Sequence, residues 1–155
     1  MSARTDLGWL TARPIAHRGL HGLAPGVVEN CPRAFEAAIA GNYAIECDVQ
    51  PTADGEAIVF HDATLDRLTT ASGRVDEQTA ASLKATAFRT TDDRMITLPE
   101  LFAQVAGRVP LVVEIKSEFD GKLELTRRVA ALAAGYRGPL ALMSFDPGPI
   151  SWLRN

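Results

Sequence analysis

The chain has 155 residues, with 16 Lys and Arg against 19 Asp and Glu, for a formal net charge of −3. A hydrophobic fraction of 46% and a charged fraction of 23% are those of a globular chain and exclude a disordered tail. The acidic balance argues against a protein that grips nucleic-acid phosphates, so no nucleic-acid partner is expected. No apolar run approaches the roughly 20 residues that span a bilayer, so no transmembrane segment is expected. Residues 1–6 show charge without a following apolar core, hence no secretory signal. Two cysteines, Cys31 and Cys47, make no disulfide framework, and a reducing cytoplasm is the expected location. Length alone points to one domain.

In chain order, the apolar run 14–17 stopped by Arg18-Gly19 predicts a strand entering a loop. A helix is predicted from near Asn30, read as its cap, with Pro32 in the first turn. Ala34, Phe35, Ala38 and Ile39 recur at helical spacing until Gly41-Asn42. Residues 43–50 predict a second strand, and Asp54-Gly55 a turn into a third over 57–61. The stretch 65–91, rich in Thr, Ser and Asp, predicts a loop with a short helix over 80–85. Thr97-Leu98-Pro99-Glu100 fits a capping box opening a helix through Ala106. A fourth strand over 111–116, a helix over 123–134, a fifth strand over 140–144 and helical turns from Pro147 complete the order. Alternating strands and helices imply parallel pairing through βαβ crossovers, in an open doubly wound sheet or a closed barrel.

Strand side chains alternate, so Glu46 and Asp48 share one face while Ile45, Cys47 and Val49 share the other. The fourth strand adds Glu114 and Lys116 on a common face. Three carboxylates from two strands suit one hard divalent cation, Mg²⁺ or Ca²⁺, better than zinc. The plainer alternative is an ion-pair cluster in which Lys116 and Arg18 neutralise the acids, and spacing alone leaves both open. His17 and His61 end the first and third strands, next to the acids, and suggest an acid–base pair. Arg18 has a functional reading as a phosphate fork and a plain one as a surface charge. His21 reads as a surface residue, Asn30 as a helix cap only, and Cys47 as a small buried apolar group. So many ionisable groups at strand ends favour the barrel, where they share one mouth.

His17-Arg18-Gly19, Glu29-Asn30, Glu46-x-Asp48, Thr52-x-Asp54-Gly55, His61-Asp62 and Glu114-Ile115-Lys116 stand in an order that resembles the glycerophosphodiester phosphodiesterase family. Leu65-Asp66-Arg67-Leu68-Thr69, Gly73, Thr97-Leu98-Pro99-Glu100 and Ser144-Phe145 extend the resemblance over nearly the whole chain from Pro14. It implies a TIM-barrel hydrolase that splits glycerophosphodiesters into glycerol 3-phosphate and an alcohol with a divalent metal. It further implies Glu46, Asp48 and Glu114 as metal ligands, His17 and His61 as the acid–base pair, and Arg18 and Lys116 as phosphate contacts. One departure stands at the mouth: ten residues, 20–29, precede Asn30, with Val28 where the family often has Pro.

A TIM barrel typically needs about 250 residues. The expected fold class is therefore α/β, a (β/α)8 TIM barrel present as an incomplete barrel of about five parallel strands, a single domain over 1–155 truncated at its C-terminus. Two competing expectations are an inactive metal-binding or interaction module of the same fold, and a related barrel acting on phospholipid headgroup diesters. Open strand edges and inward residues such as Val59 and Val112, facing water, are expected to make the isolated chain self-associate.

Overall fold

The computed structural model describes residues 7–155; the reading of residues 1–6 as carrying no secretory signal lies outside the described residues. Among the described residues a short 3-10 helix (Gly8–Leu10) is followed by ten strands and α-helices: β1 (Ile15–His17), α1 (Pro32–Ala40), β2 (Ala44–Pro51), β3 (Ala57–Val59), α2 (Ala80–Ala85), α3 (Leu98–Val105), β4 (Leu111–Ile115), α4 (Glu124–Ala133), β5 (Leu140–Met143) and α5 (Pro147–Leu153). Pro32 occupies the first helical position of α1, where its missing N–H is harmless, and this puts the cap at Cys31 rather than Asn30. Glu100 accepts the Thr97 N–H at 2.8 Å and opens α3 as the sequence predicts.

The sheet runs β1-β2-β4-β5, each neighbouring pair parallel. This order never reverses, as a doubly wound sheet would at its switch point. It is the winding of a (β/α)8 barrel, present here as an incomplete barrel. One strand departs from expectation: β3 pairs antiparallel with β2, Val49 opposite Val59, so four of the five strands are parallel. The connection 52–56 is too short for a parallel crossover, which takes a dozen residues or more, and forms a hairpin instead.

Alternate strand residues build two different environments. Ile45, Cys47, Val49, Leu111, Val113 and Ile115 pack outward with Phe35, Leu101, Val105 and Val129 of the helices as the main core. The other face lines the barrel interior. There the register aligns His17, Glu46, Val112 and Ala141 in one row, and Asp48, Glu114 and Met143 in the next. Val59 belongs to the helix-side core and is fully buried, while Val112 is 7% exposed. Neither meets water as the sequence reading held; on the inner face Ile15 does, at 41% exposed. A second, smaller core of Cys31, Ile58, Phe60, Leu65, Val75, Leu83, Phe88 and Met95 lies under the segment between β3 and α3.

β1 and β5 each pair on one side among the described residues, and all of β5 is half-buried. Open parallel edges template pairing with further chains. Expressed alone, the 155-residue polypeptide is expected to elute from size-exclusion chromatography as oligomers or aggregate. A sharp monomer peak near 16.7 kDa would show that the edges are protected by other means.

Candidate active site

The strand ends deliver the predicted residues to one place. The carboxylate oxygens of Glu46, Asp48 and Glu114 lie within 4.8 Å of one another, and all three residues are buried. Lys116 leans over them, its Nζ 2.8 Å from Glu114 Oε1 and 3.0 Å from Asp48 Oδ1. The Asp48 contact is an ion pair without hydrogen-bond geometry, leaving Oδ1 buried and unbonded. Arg18 donates its backbone N–H to Glu46 Oε2 at 3.0 Å, and its Nε lies 3.6 Å from Asp48 Oδ2. Burial, then the charges of Asp48 and Glu114, push the Glu46 carboxyl up to about 7, against the opposing pull of Arg18. Burial works against the Lys116 ammonium, but its hydrogen bond to Glu114 and the close Asp48 carboxylate outweigh that and hold its pKa above the usual lysine value.

Two backbone segments are bent to make this arrangement. Arg18 and Asn30 both hold positive φ, 61° and 55°, which non-glycine residues adopt at a cost. The Asn30 N–H donates to the Arg18 carbonyl at 2.9 Å, tying the two together. Gly19 follows with φ 80°, and a Cβ there would stand 2.8 Å from that of Ala34, so the loop lies against α1 only with glycine.

Asn30 is the residue sequence reasoning misassigned. It caps nothing; its Nδ2 donates to Asp48 Oδ2 at 2.9 Å and its Oδ1 accepts the Asp48 N–H at 3.3 Å. The signal available was Pro32, which shifts the cap to Cys31. Sequence reasoning also gave no role to Glu29, Asp62 and Arg67. Asp62 Oδ1 is 2.7 Å from His61 Nδ1, and Arg67 joins Asp62 to Glu29 through four hydrogen bonds. Hydrogen bonds from Arg67, with a smaller contribution from His61, hold the Asp62 carboxyl down at about 2 despite partial burial.

His17 stands beside the acids, Nε2 3.9 Å from Glu46 Oε2, with a side chain 68% exposed. His61 follows the strand paired to β2, and its carbonyl accepts from Gln50 Nε2 at 2.8 Å. His21 is half-exposed, and Cys47 is fully buried among the outward core residues. A cavity of about 460 Å³ lies beside Lys116, lined also by His61, Gln50, Arg74, Asp76 and Lys122 among others.

Among the described residues, two groups could hold a metal: Glu46, Asp48 and Glu114, and Glu29, His61 and Asp62. They differ in how their charge is met. The second group's carboxylates are already matched by the forks of Arg67 and Arg18. The first crowds three acids against one lysine and a shared arginine, with one of them shifted toward protonation and a buried oxygen unbonded. An all-oxygen donor set with unmet charge fits a hard divalent cation.

The family model described as glycerophosphoryl diester phosphodiesterase matches residues 17–137. A glycerophosphodiester phosphodiesterase of Caldanaerobacter subterraneus subsp. tengcongensis is 38% identical over 111 residues, covering 66% of this chain and 44% of that protein. The chain therefore spans about half the length of the curated relatives it matches. Among solved structures, an Oleispira antarctica phosphodiesterase in complex with the product sn-glycerol-3-phosphate superposes with TM-score 0.79 at 26% identity, covering 90% of this chain and 60% of that one. A glycerophosphodiester phosphodiesterase from Agrobacterium tumefaciens gives TM-score 0.76 at 28% identity, with 92% and 62% covered.

Proposed function

The chain belongs to the glycerophosphoryl diester phosphodiesterase family, and from that premise we propose that it hydrolyses glycerophosphodiesters to glycerol 3-phosphate and an alcohol. The observation that carries the reading is the cluster of Glu46, Asp48 and Glu114, buried, overcharged and flanked by His17. These three would hold one divalent cation, Mg²⁺ or Ca²⁺, which when bound supplies positive charge against the phosphodiester oxygens. Arg18 and Lys116 contact the same phosphate and stabilise the charge that grows as phosphorus becomes five-coordinate. One of His17 and His61 takes the proton from the attacking oxygen, the adjacent glycerol hydroxyl. The other protonates the leaving alcohol, and water opens the cyclic phosphate with the roles exchanged. The cavity beside His61 and Lys116 offers space for the alcohol. The reading applies to a closed barrel, to which these residues contribute the N-terminal portion of one domain; that proposal is supported by the 44% of the relative's length matched. A cytoplasmic location is proposed with it, supported by two free, buried cysteines; among the described residues no helix is long and apolar enough to cross a membrane.

The test is release of glycerol 3-phosphate from glycerophosphocholine by the complete protein, with and without chelator. Release that stops with chelator and returns with Mg²⁺ or Ca²⁺ is expected. Metal binding without turnover on any glycerophosphodiester would favour a binding module. Preference for phosphatidylinositol or lysophospholipids would favour a phospholipid headgroup substrate.

A pH dependence follows from Glu46. Its carboxyl titrates at about 7 in the fold against an ordinary 4.5, so the folded state binds the extra proton between those values. The metal-free protein therefore loses stability as pH rises through that window. A divalent cation offsets the lost proton, and below about 7 it must displace it. Mg²⁺ or Ca²⁺ is expected to raise the Tm more at pH 8 than at pH 5, read by thermal denaturation. Equal shifts at both pH values would remove Glu46 from the ligand set.

A further inference from the structure

Arg67, in the Leu65–Thr69 stretch, takes no part in the chemistry described above. It sits in the non-periodic segment after β3, above the smaller core that Leu65 helps to fill. Its guanidinium uses two edges at once. Toward the site, Nε donates to Asp62 Oδ2 at 2.7 Å and Nη2 to Asp62 Oδ1 at 2.9 Å. Toward the loop after β1, Nη1 donates to Glu29 Oε2 at 3.0 Å and Nη2 to Glu29 Oε1 at 2.7 Å. Glu29 is itself held by Arg18 Nη1 at 2.9 Å.

A planar, five-donor fork can bind two carboxylates in fixed relative geometry; an ammonium on a flexible stem cannot. The effect on Asp62 is specific. Ionised, its carboxylate can only accept, so His61 Nδ1, 2.7 Å away, must carry the proton of that contact, leaving Nε2 to face a substrate. Without Arg67, Asp62 would be free to turn to water and His61 would lose the partner that selects its tautomer.

We propose that Arg67, anchored on Glu29, is a positioning residue that fixes the orientation and tautomer of His61 through Asp62. The proposal deepens the phosphodiesterase reading and rests on His61 belonging to the reaction. The alternative role for Arg67, with its side chain 47% exposed, is a surface bridge between two loops, which would affect stability alone.

The experiment uses the complete protein with Arg67→Lys and Arg67→Ala. In ¹⁵N–¹H spectra of the histidine rings, wild-type His61 is expected as the single Nδ1–H form and Arg67→Ala as a mixture of tautomers. This reads the geometry without turnover, so a wild type that shows the single form but hydrolyses no glycerophosphodiester would sink the functional reading and leave the positioning intact. Where turnover is present, Arg67→Ala is expected to lower kcat roughly 10–100-fold, the range for lost outer partners at a metal site. Arg67→Lys should not restore it, since charge returns but the double fork does not. In a His61→Ala background, Arg67→Ala should cost less than threefold further, because its route to the chemistry is gone. A His61 spectrum unchanged by Arg67→Ala, full rescue by Arg67→Lys, or a full further loss in the His61→Ala background would each overturn the proposal.

Discussion

Replacing His17 or His61 by alanine in the complete protein is expected to lower turnover on a glycerophosphodiester by roughly 10²–10⁴-fold, the contribution of a placed general acid or base. The two replacements should leave the fold in place for different reasons. The His17 side chain is 68% exposed and lies 3.9 Å from Glu46. Its loss should shift stability by no more than about 0.5 kcal/mol, as for other surface changes. His61 is more enclosed, 30% exposed and joined to Asp62, yet it lies outside both hydrophobic cores. Thermal denaturation alongside initial rates separates the chemistry from the folding. Near-normal turnover in either variant would take that residue out of the acid–base pair.

The acid cluster was legible because a strand has a period of two and a parallel pair keeps side chains on the same face. Glu46 and Asp48 two apart on β2, and Glu114 on β4, therefore converge once β2 and β4 are neighbours, and Asp48 stands opposite Glu114. The barrel winding was legible for a related reason, since consecutive βα units place each strand beside the last. The segment between β3 and α3 was legible only in its short helix over 80–85. Its buried residues Leu65, Val75, Leu83 and Phe88 follow neither helical nor strand spacing, and isolated bridges such as Thr64 to Arg74 and Thr69 to Phe88 hold it. The fork from Arg67 to Glu29, 38 positions away in sequence, depends on that irregular path. β3 was legible as a strand, but its direction lay in the length of the Asp54-Gly55 connection rather than in its apolar residues. Asn30 was hidden by its own versatility. The side chain that caps helices also tolerates positive φ and offers both a donor and an acceptor, and here all three properties serve Asp48.

That pairing sets the last expected result, a graded loss of cation binding. Asp48→Asn keeps the side-chain volume but removes the charge of a fully buried group that Lys116 and Arg18 both face. Lys116 and Arg18 then face Glu46 and Glu114, with Arg18 still bonded to Glu29, and the Asp48 charge that helps push the Glu46 carboxyl up is gone. With one of three ligand carboxylates gone, Mg²⁺ or Ca²⁺ should no longer raise the Tm. Asn30→Gly tests the outer partner cleanly, because glycine accepts φ 55° without strain and only the amide is lost. Asp48 would then keep its charge but lose the contacts from Asn30 to its Oδ2 and its N–H, leaving the carboxylate free to rotate toward Lys116. Cation binding should persist at roughly 10–100-fold higher concentration, as for other outer partners of metal ligands. Titration calorimetry on both variants reads the grading directly. Wild-type affinity in Asp48→Asn would remove the metal assignment, and wild-type affinity in Asn30→Gly would reduce Asn30 to a residue that shapes the loop.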